Sequence, residues 1–182
     1  AANPFVSYLA NMFRDNANAN LPVVFISASE VNLTLAEAAV RGWISGSAVD
    51  YYTKGISTSF NQYGISDGDK KVYNPENHQI EAFDLNAFLT NAATAFKAAP
   101  DKILPIMEQV WVADFTSVEA WFNWRRTGYP NLGKNIVSGP QGEKIPVRFF
   151  YGANEKNFNG DNVNAAIQNL QPAVDDQWSK MW

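Results

Sequence analysis

The chain predicts a mainly α-helical fold, and three observations carry that expectation. Apolar residues recur at steps of three and four through most of its length. Several of those stretches open on a capping signal and close on glycine or proline. Runs rich in β-branched residues are few and short.

Residues 5 to 14 read as a short helix, followed by the polar link DNANAN. PVVFI at 22 to 26 reads as a buried extended lead-in to the next helix. Ser27 and Glu30 have the spacing of a capping box, in which a hydroxyl and a carboxylate satisfy each other's orphan amides. Val31, Leu35, Ala38 and Ala39 follow in register, so a helix is expected over 28 to 44, broken by Gly46. Ser47 caps the next helix, whose face is Val49, Tyr52, Ile56, Phe60 and Tyr63 and whose end is Gly64. Residues 28 to 63 thus form a helical hairpin with the length of one tetratricopeptide unit, about 34 residues. Leu35, Ala36, Ala39, Ala48, Tyr52 and Gly55 supply the large, small and aromatic residues such a unit wants where its helices approach. The tryptophan and proline of that repeat are missing, and no second copy occurs. One unit cannot bury its own face, so it must pack on other helices.

Residues 64 to 84 are polar and turn-rich, long enough for a functional loop. A third helix spans 85 to 98, with Leu85, Phe88, Leu89, Ala92 and Phe96 on one face. Pro100 and Asp101 open a fourth, with Ile103, Ile106, Met107, Val110 and Trp111 apolar and Pro105 in its first turns, where proline is tolerated or bends the helix. Thr116 and Glu119 form another capping box, which starts the segment EAWFNWRRTGYP. Gly128 and Pro130 end it. KIPVRFFY at 144 to 151 reads as extended, and a last helix is expected at 161 to 170. Trp178 and Trp182 in the tail suggest that it docks on the body.

With 182 residues the chain is long enough for a domain with a real core. A net charge of −4 with no long basic run argues against a nucleic-acid partner. The absence of cysteine excludes disulfides and thiolate metal sites. No apolar stretch is long enough to span a membrane, and no signal peptide opens the chain. The whole of 1 to 182 reads as a single domain or fragment, the C-terminal piece of a longer precursor. Six Trp, seven Tyr and twelve Phe are a high aromatic share; core packing is the first account of it, and a stacking surface for wet ligands such as sugars and peptides is the second.

SASEVNLTLAEAAVRGWISGSAVDYYTKGISTSFNQYG (27 to 64), QVWVADFTSVEAWFNWRRTGYPNL (109 to 132) and IPVRFFYGANEKNFNGDNVNAAI (145 to 167) resemble, in order, blocks of SusD/RagB-like nutrient-binding outer-membrane lipoproteins. The terminal WSKMW resembles the family's tryptophan-rich end. Val147 departs from the pattern, standing where arginine is usual, and Gly152 and Ala153 replace a proline-rich turn. The resemblance implies a tetratricopeptide-like helical fold and a non-enzymatic surface lipoprotein. It implies capture of oligosaccharides or peptides beside a TonB-dependent transporter of the SusC type. Its membrane attachment would be a lipid anchor that this chain lacks.

No cofactor or metal is expected. His78 is a lone histidine in a polar loop, and Asp67 with Asp69 lacks the remaining ligands of a calcium loop. No GxSxG, Walker or HExxH motif occurs. Trp121, Trp124, Arg125 and Arg126 read as structural: Trp121 and Phe122 in the core, the arginines paired with carboxylates such as Glu37 or Glu155. Ligand contacts are sought among aromatics at helix ends and in the polar loop: Tyr63, Tyr73 and Trp43. Two other readings compete. A helical-repeat protein-interaction module rests on the hairpin alone, and a carbohydrate-active enzyme on the aromatics and carboxylates.

Overall fold

A computed structural model describes residues 24–68, 72–74, 79–132 and 145–181. The expected helix at 5 to 14, the DNANAN link, His78 and Trp182 lie outside the described residues. The described chain is helical apart from one small ribbon. Its elements are α1 (Ala28–Val40), α2 (Ala48–Gln62), β1 (Val72–Asn74), β2 (Gln79–Glu81), α3 (Leu85–Ala98), α4 (Ile103–Ala113), α5 (Glu119–Thr127), α6 (Ala153–Phe158) and α7 (Gly160–Ile167). They divide into two compact units, residues 1–98 and 99–182.

In the first unit α1 and α2 fold back on each other as the sequence predicts. Ser27 Oγ accepts the Glu30 amide at 2.9 Å, and Ser47 Oγ accepts that of Asp50 at 3.3 Å. Helix α1 stops four residues earlier than expected. Gly42 takes a left-handed φ of +73°. The amides of Gly42 and Trp43 then close on the carbonyls of Ala39 and Ala38. That pair of bonds is the Schellman arrangement, and only glycine reaches its C′ conformation cheaply. Gly64 ends α2 in the same way, with φ +68° and the Ile65 amide on the Phe60 carbonyl.

The inner face of α1 also differs from the expected one. Ser29, Asn32, Leu33, Ala36 and Glu37 are buried, whereas Val31 is 46% exposed and Leu35, Ala38 and Ala39 are half-buried. Three of the five buried side chains are polar, so apolar periodicity alone selects the wrong stripe. The helices approach most tightly at Gly55. Its carbonyl accepts Ser29 Oγ at 2.8 Å, and a Cβ there would lie 2.7 Å from Leu33 Cγ. On the face of α2, Tyr52 and Ile56 are buried as expected. Tyr52 stacks on Phe96 of α3 at 4.7 Å, so α3 covers the hairpin that could not cover itself.

The expected loop at 64 to 84 contains structure. β1 and β2 pair antiparallel, with Tyr73 opposite Ile80. The carboxylate of Asp67, considered above for calcium, instead serves the start of α3: Oδ1 accepts the Leu85 amide at 2.8 Å. Asp84 Oδ1 accepts that of Ala87 at 2.7 Å. Phe60, Phe83 and Phe88 gather above, with ring centroids 4.9 to 5.8 Å apart. Val24, Phe25 and Ile26 are exposed rather than buried.

In the second unit Ile106, Met107, Val110 and Ala113 of α4 are buried. Pro105 is the third residue of α4, where its missing amide has no intrahelical partner to lose. The capping box expected at Thr116 is displaced. Thr116 adopts a positive φ of 69°, and Ser117 Oγ takes the Glu119 amide at 3.2 Å. The helix expected at 161 to 170 is present as α7, which ends three residues early, and the short α6 precedes it. Residues 145 to 151 join no named strand. The Val147 and Arg148 amides both reach the Gln177 carbonyl, which ties the tail to this segment. A bridge between Gln171 and Lys180 closes the tail on itself.

Candidate functional site

Trp43 is 71% exposed in the turn between α1 and α2. Its mount is built upward from α1. Glu37 is buried, with only 5% exposure, and its Oε1 accepts Arg41 Nε at 2.8 Å, one helical turn on. A carboxylate removed from water needs such a partner. The Arg41 guanidinium then lies over the Trp43 ring, 5.3 Å from its centroid. Buried acid, guanidinium and exposed indole thus form one stack at the end of α1.

Tyr63 is half-buried at the C-cap of α2, and Tyr73 sits in β1. Trp43 and Tyr63 stand at opposite ends of the 15-residue helix α2. At 1.5 Å per residue that is roughly 22 Å, so the two rings do not share one sugar unit.

The tryptophan–arginine block forms α5. Trp121 is half-buried, and its Nε1 donates to the Pro146 carbonyl at 2.7 Å. The Arg125 guanidinium covers its ring at 4.5 Å, and Phe149 meets it at 5.6 Å. Phe122, expected in the core, is 44% exposed, because the next position on a helix turns about 100° away from Trp121. Trp124 is half-buried. Arg126 is exposed and donates to Asn123 Oδ1 at 3.0 Å. Gly128, at φ +77°, receives the end of the helix through its amide on the Trp124 carbonyl. A cleft of about 280 Å³ beside this end is lined by Arg125, Arg126, Thr127, Gly128, Val147, Lys180 and Met181.

Two polar clusters escaped the sequence reading. Arg148 is 5% exposed and donates to Asp175 Oδ1 at 2.7 Å and to the Asp176 carbonyl at 2.8 Å. Lys156 reaches the other Asp175 oxygen at 2.6 Å. Burial pushes the Asp175 carboxyl up, but the hydrogen bonds from Lys156, Arg148 and the Tyr151 amide outweigh it and hold the group below its ordinary 3.8. Asp176 is also held low, chiefly by the Ser179 hydroxyl against some burial, then by the Trp178 and Ser179 amides. The second cluster is Tyr129, whose hydroxyl donates to Asp101 Oδ2 at 2.8 Å. That bond, the Asp101 charge and burial raise its pKa above 10.0. The one signal for the first cluster was Arg148 itself, inside the IPVR block. Its partner lies too far along the chain for spacing to suggest it. Among the described residues no three His, Cys, Asp or Glu side chains come together to hold a metal, and no helix is long and apolar enough to cross a membrane.

A family model for SusD-like proteins, described as Susd and RagB outer membrane lipoprotein, matches residues 6–182. The chain belongs to the SusD-like family. Among solved structures it is similar to a SusD homolog from Bacteroides fragilis, at 32% identity and a TM-score of 0.67 over 88% of this chain and 35% of that one. A chitin-binding protein is 34% identical with a TM-score of 0.63, over 88% of this chain and 33% of that one. A chitin-binding SusD homolog from Flavobacterium johnsoniae is 26% identical with a TM-score of 0.54, over 85% and 35%. The chain thus spans about a third of the length of these structures. No curated protein matches it. The mainly helical SusD-like architecture expected from the three sequence blocks is the one observed.

Proposed function

We propose that the protein binds oligosaccharide or peptide nutrients at the bacterial cell surface without turning them over, and delivers them to a SusC-like TonB-dependent transporter. The observation that carries this reading is the SusD-like family match across residues 6–182. Two similar structures are of chitin-binding proteins, which makes chitin oligosaccharides the first ligands to try. Attachment to the outer membrane is through a lipid anchor, which the family's description as an outer membrane lipoprotein supports. Binding comes from stacked aromatics, with Trp43, Tyr63 and Tyr73 as the proposed contacts, and from a few polar groups. Trp121, Trp124, Arg125, Arg126 and Glu37 hold the fold rather than the ligand. Stacking on neutral sugars gives modest affinity that salt barely changes.

The test is a glycan and peptide array probed with the full-length protein. Selective retention of one glycan or peptide class supports the reading. An empty array would contradict it. The helical-repeat interaction reading, favoured only by the α1–α2 hairpin, would then be examined by affinity capture of protein partners.

A further inference from the structure

We infer that Trp43 is a stacking platform for an uncharged sugar ring, and that Glu37 and Arg41 are positioning residues that hold it ready. This deepens the proposed function and rests on it. An exposed tryptophan alone is unremarkable, since folded surfaces carry many apolar atoms. The mount of this one is the informative part. Its amide is tied to the Ala38 carbonyl at 2.9 Å, so the backbone beneath it is fixed. The guanidinium over the ring is itself held by a carboxylate buried to 5% exposure, at 2.8 Å. With 71% of the residue open, the covered face leaves the other to solvent. An indole whose rotamer is already restrained loses less entropy when a ligand stacks on it.

The surroundings select the ligand chemistry. Arg41 is paired with the buried Glu37 carboxylate, so its charge is already answered within the stack. The turn around the ring exposes Gly42, Ser45, Gly46 and Ser47, with Ile44 half-buried among them. A Cβ built on Gly42 meets nothing beyond its chain neighbours within 4 Å, so the backbone next to the indole is uncrowded. A flat apolar face with a wet polar rim describes a pyranose, whose C–H face stacks on an aromatic ring while its hydroxyls keep their water.

Calorimetry on the full-length protein tests this, using neutral β-linked oligomers of glucose and of N-acetylglucosamine and an oligomer of uronic acid. A neutral oligomer should bind, equally well at low and high salt. Trp43→Ala should weaken it about tenfold, the upper end of a single aromatic contact, and Trp43→Phe less. Arg41→Lys keeps the charge but removes the planar cover, and should weaken binding about threefold with the melting temperature unchanged. Binding that is intact in Trp43→Ala would overturn the inference and leave the proposed function standing. Loss in Trp43→Ala with none in Arg41→Lys would overturn the positioning role. Preference for the uronic acid oligomer, lost in salt, would overturn the neutral-sugar assignment. No binding of any neutral oligomer by the unaltered protein would overturn the inference, and an array empty as well would remove the reading beneath it.

Discussion

Arg148 and Asp175 meet at 2.7 Å across 27 residues of sequence, with side chains only 5% and 10% exposed. This contact fastens the tail to the 145–151 segment. Breaking a buried pair by removing one partner strands the other charge. Arg148→Met is therefore expected to lower the unfolding free energy by about 3 kcal/mol. Lys156, whose side chain is 46% exposed, touches the same carboxylate from the solvent side, and Lys156→Met should cost under about 1 kcal/mol. Chemical denaturation of both variants checks the ranking, and equal losses would contradict it.

The same cluster sets an acid limb. Asp175 and Asp176 both titrate below 3.8 in the folded chain. Folding therefore favours their ionised forms. That stabilisation is complete above the unfolded value of about 3.9 and drains as pH falls through the lower folded values. Thermal melts from neutral to strongly acidic pH should show a falling melting temperature below about pH 4. Asp176→Asn should flatten that fall. An identical acid limb in the variant would contradict the assignment.

Gly55 makes a third test. Alanine there puts a Cβ 2.7 Å from Leu33 Cγ and must push α1 from α2. The expected loss is about 1–3 kcal/mol. Gly152→Ala, where a Cβ meets nothing within 4 Å and only the glycine N-cap of α6 is lost, should cost under about 1 kcal/mol. Urea titration of the two variants compares them.

Local chemistry made much of this legible in the sequence. Ser27 and Ser47 announce α1 and α2 because a cap is decided within three residues. The SusD-like blocks announce the family. Helix ends were harder. Gly42 and Gly46 both qualify as terminators, and only the backbone shows that Gly42 takes the C′ role. The buried stripe of α1 was hidden because Ser29, Asn32 and Glu37 belong to it, polar side chains that apolar periodicity passes over and that are each satisfied by a hydrogen bond. The mount of Trp43 was half visible. Glu37 and Arg41 are four apart on a helix, a spacing that pairs charges, but the guanidinium's reach to the indole depends on the turn at Gly42. Arg148 and Asp175 are joined by tertiary folding alone.

Trp121 links α5 to the 145–151 segment through its ring nitrogen on the Pro146 carbonyl, with Arg125 over its face. Trp121→Phe removes the donor and keeps most of the ring, and should cost about 1–2 kcal/mol. Arg125→Ala should also destabilise, by at least about 1 kcal/mol, through the lost cation–π contact and packing. If both variants melt with the unaltered protein, the structural role given to this block fails.

The central claim is capture without turnover. The most direct measurement is calorimetry of the full-length protein with the strongest array ligand, followed by product analysis after long incubation. The account predicts saturable, modest and nearly salt-independent binding, with the ligand recovered at its original length. Steady release of shortened sugars or peptides by the purified protein would contradict it.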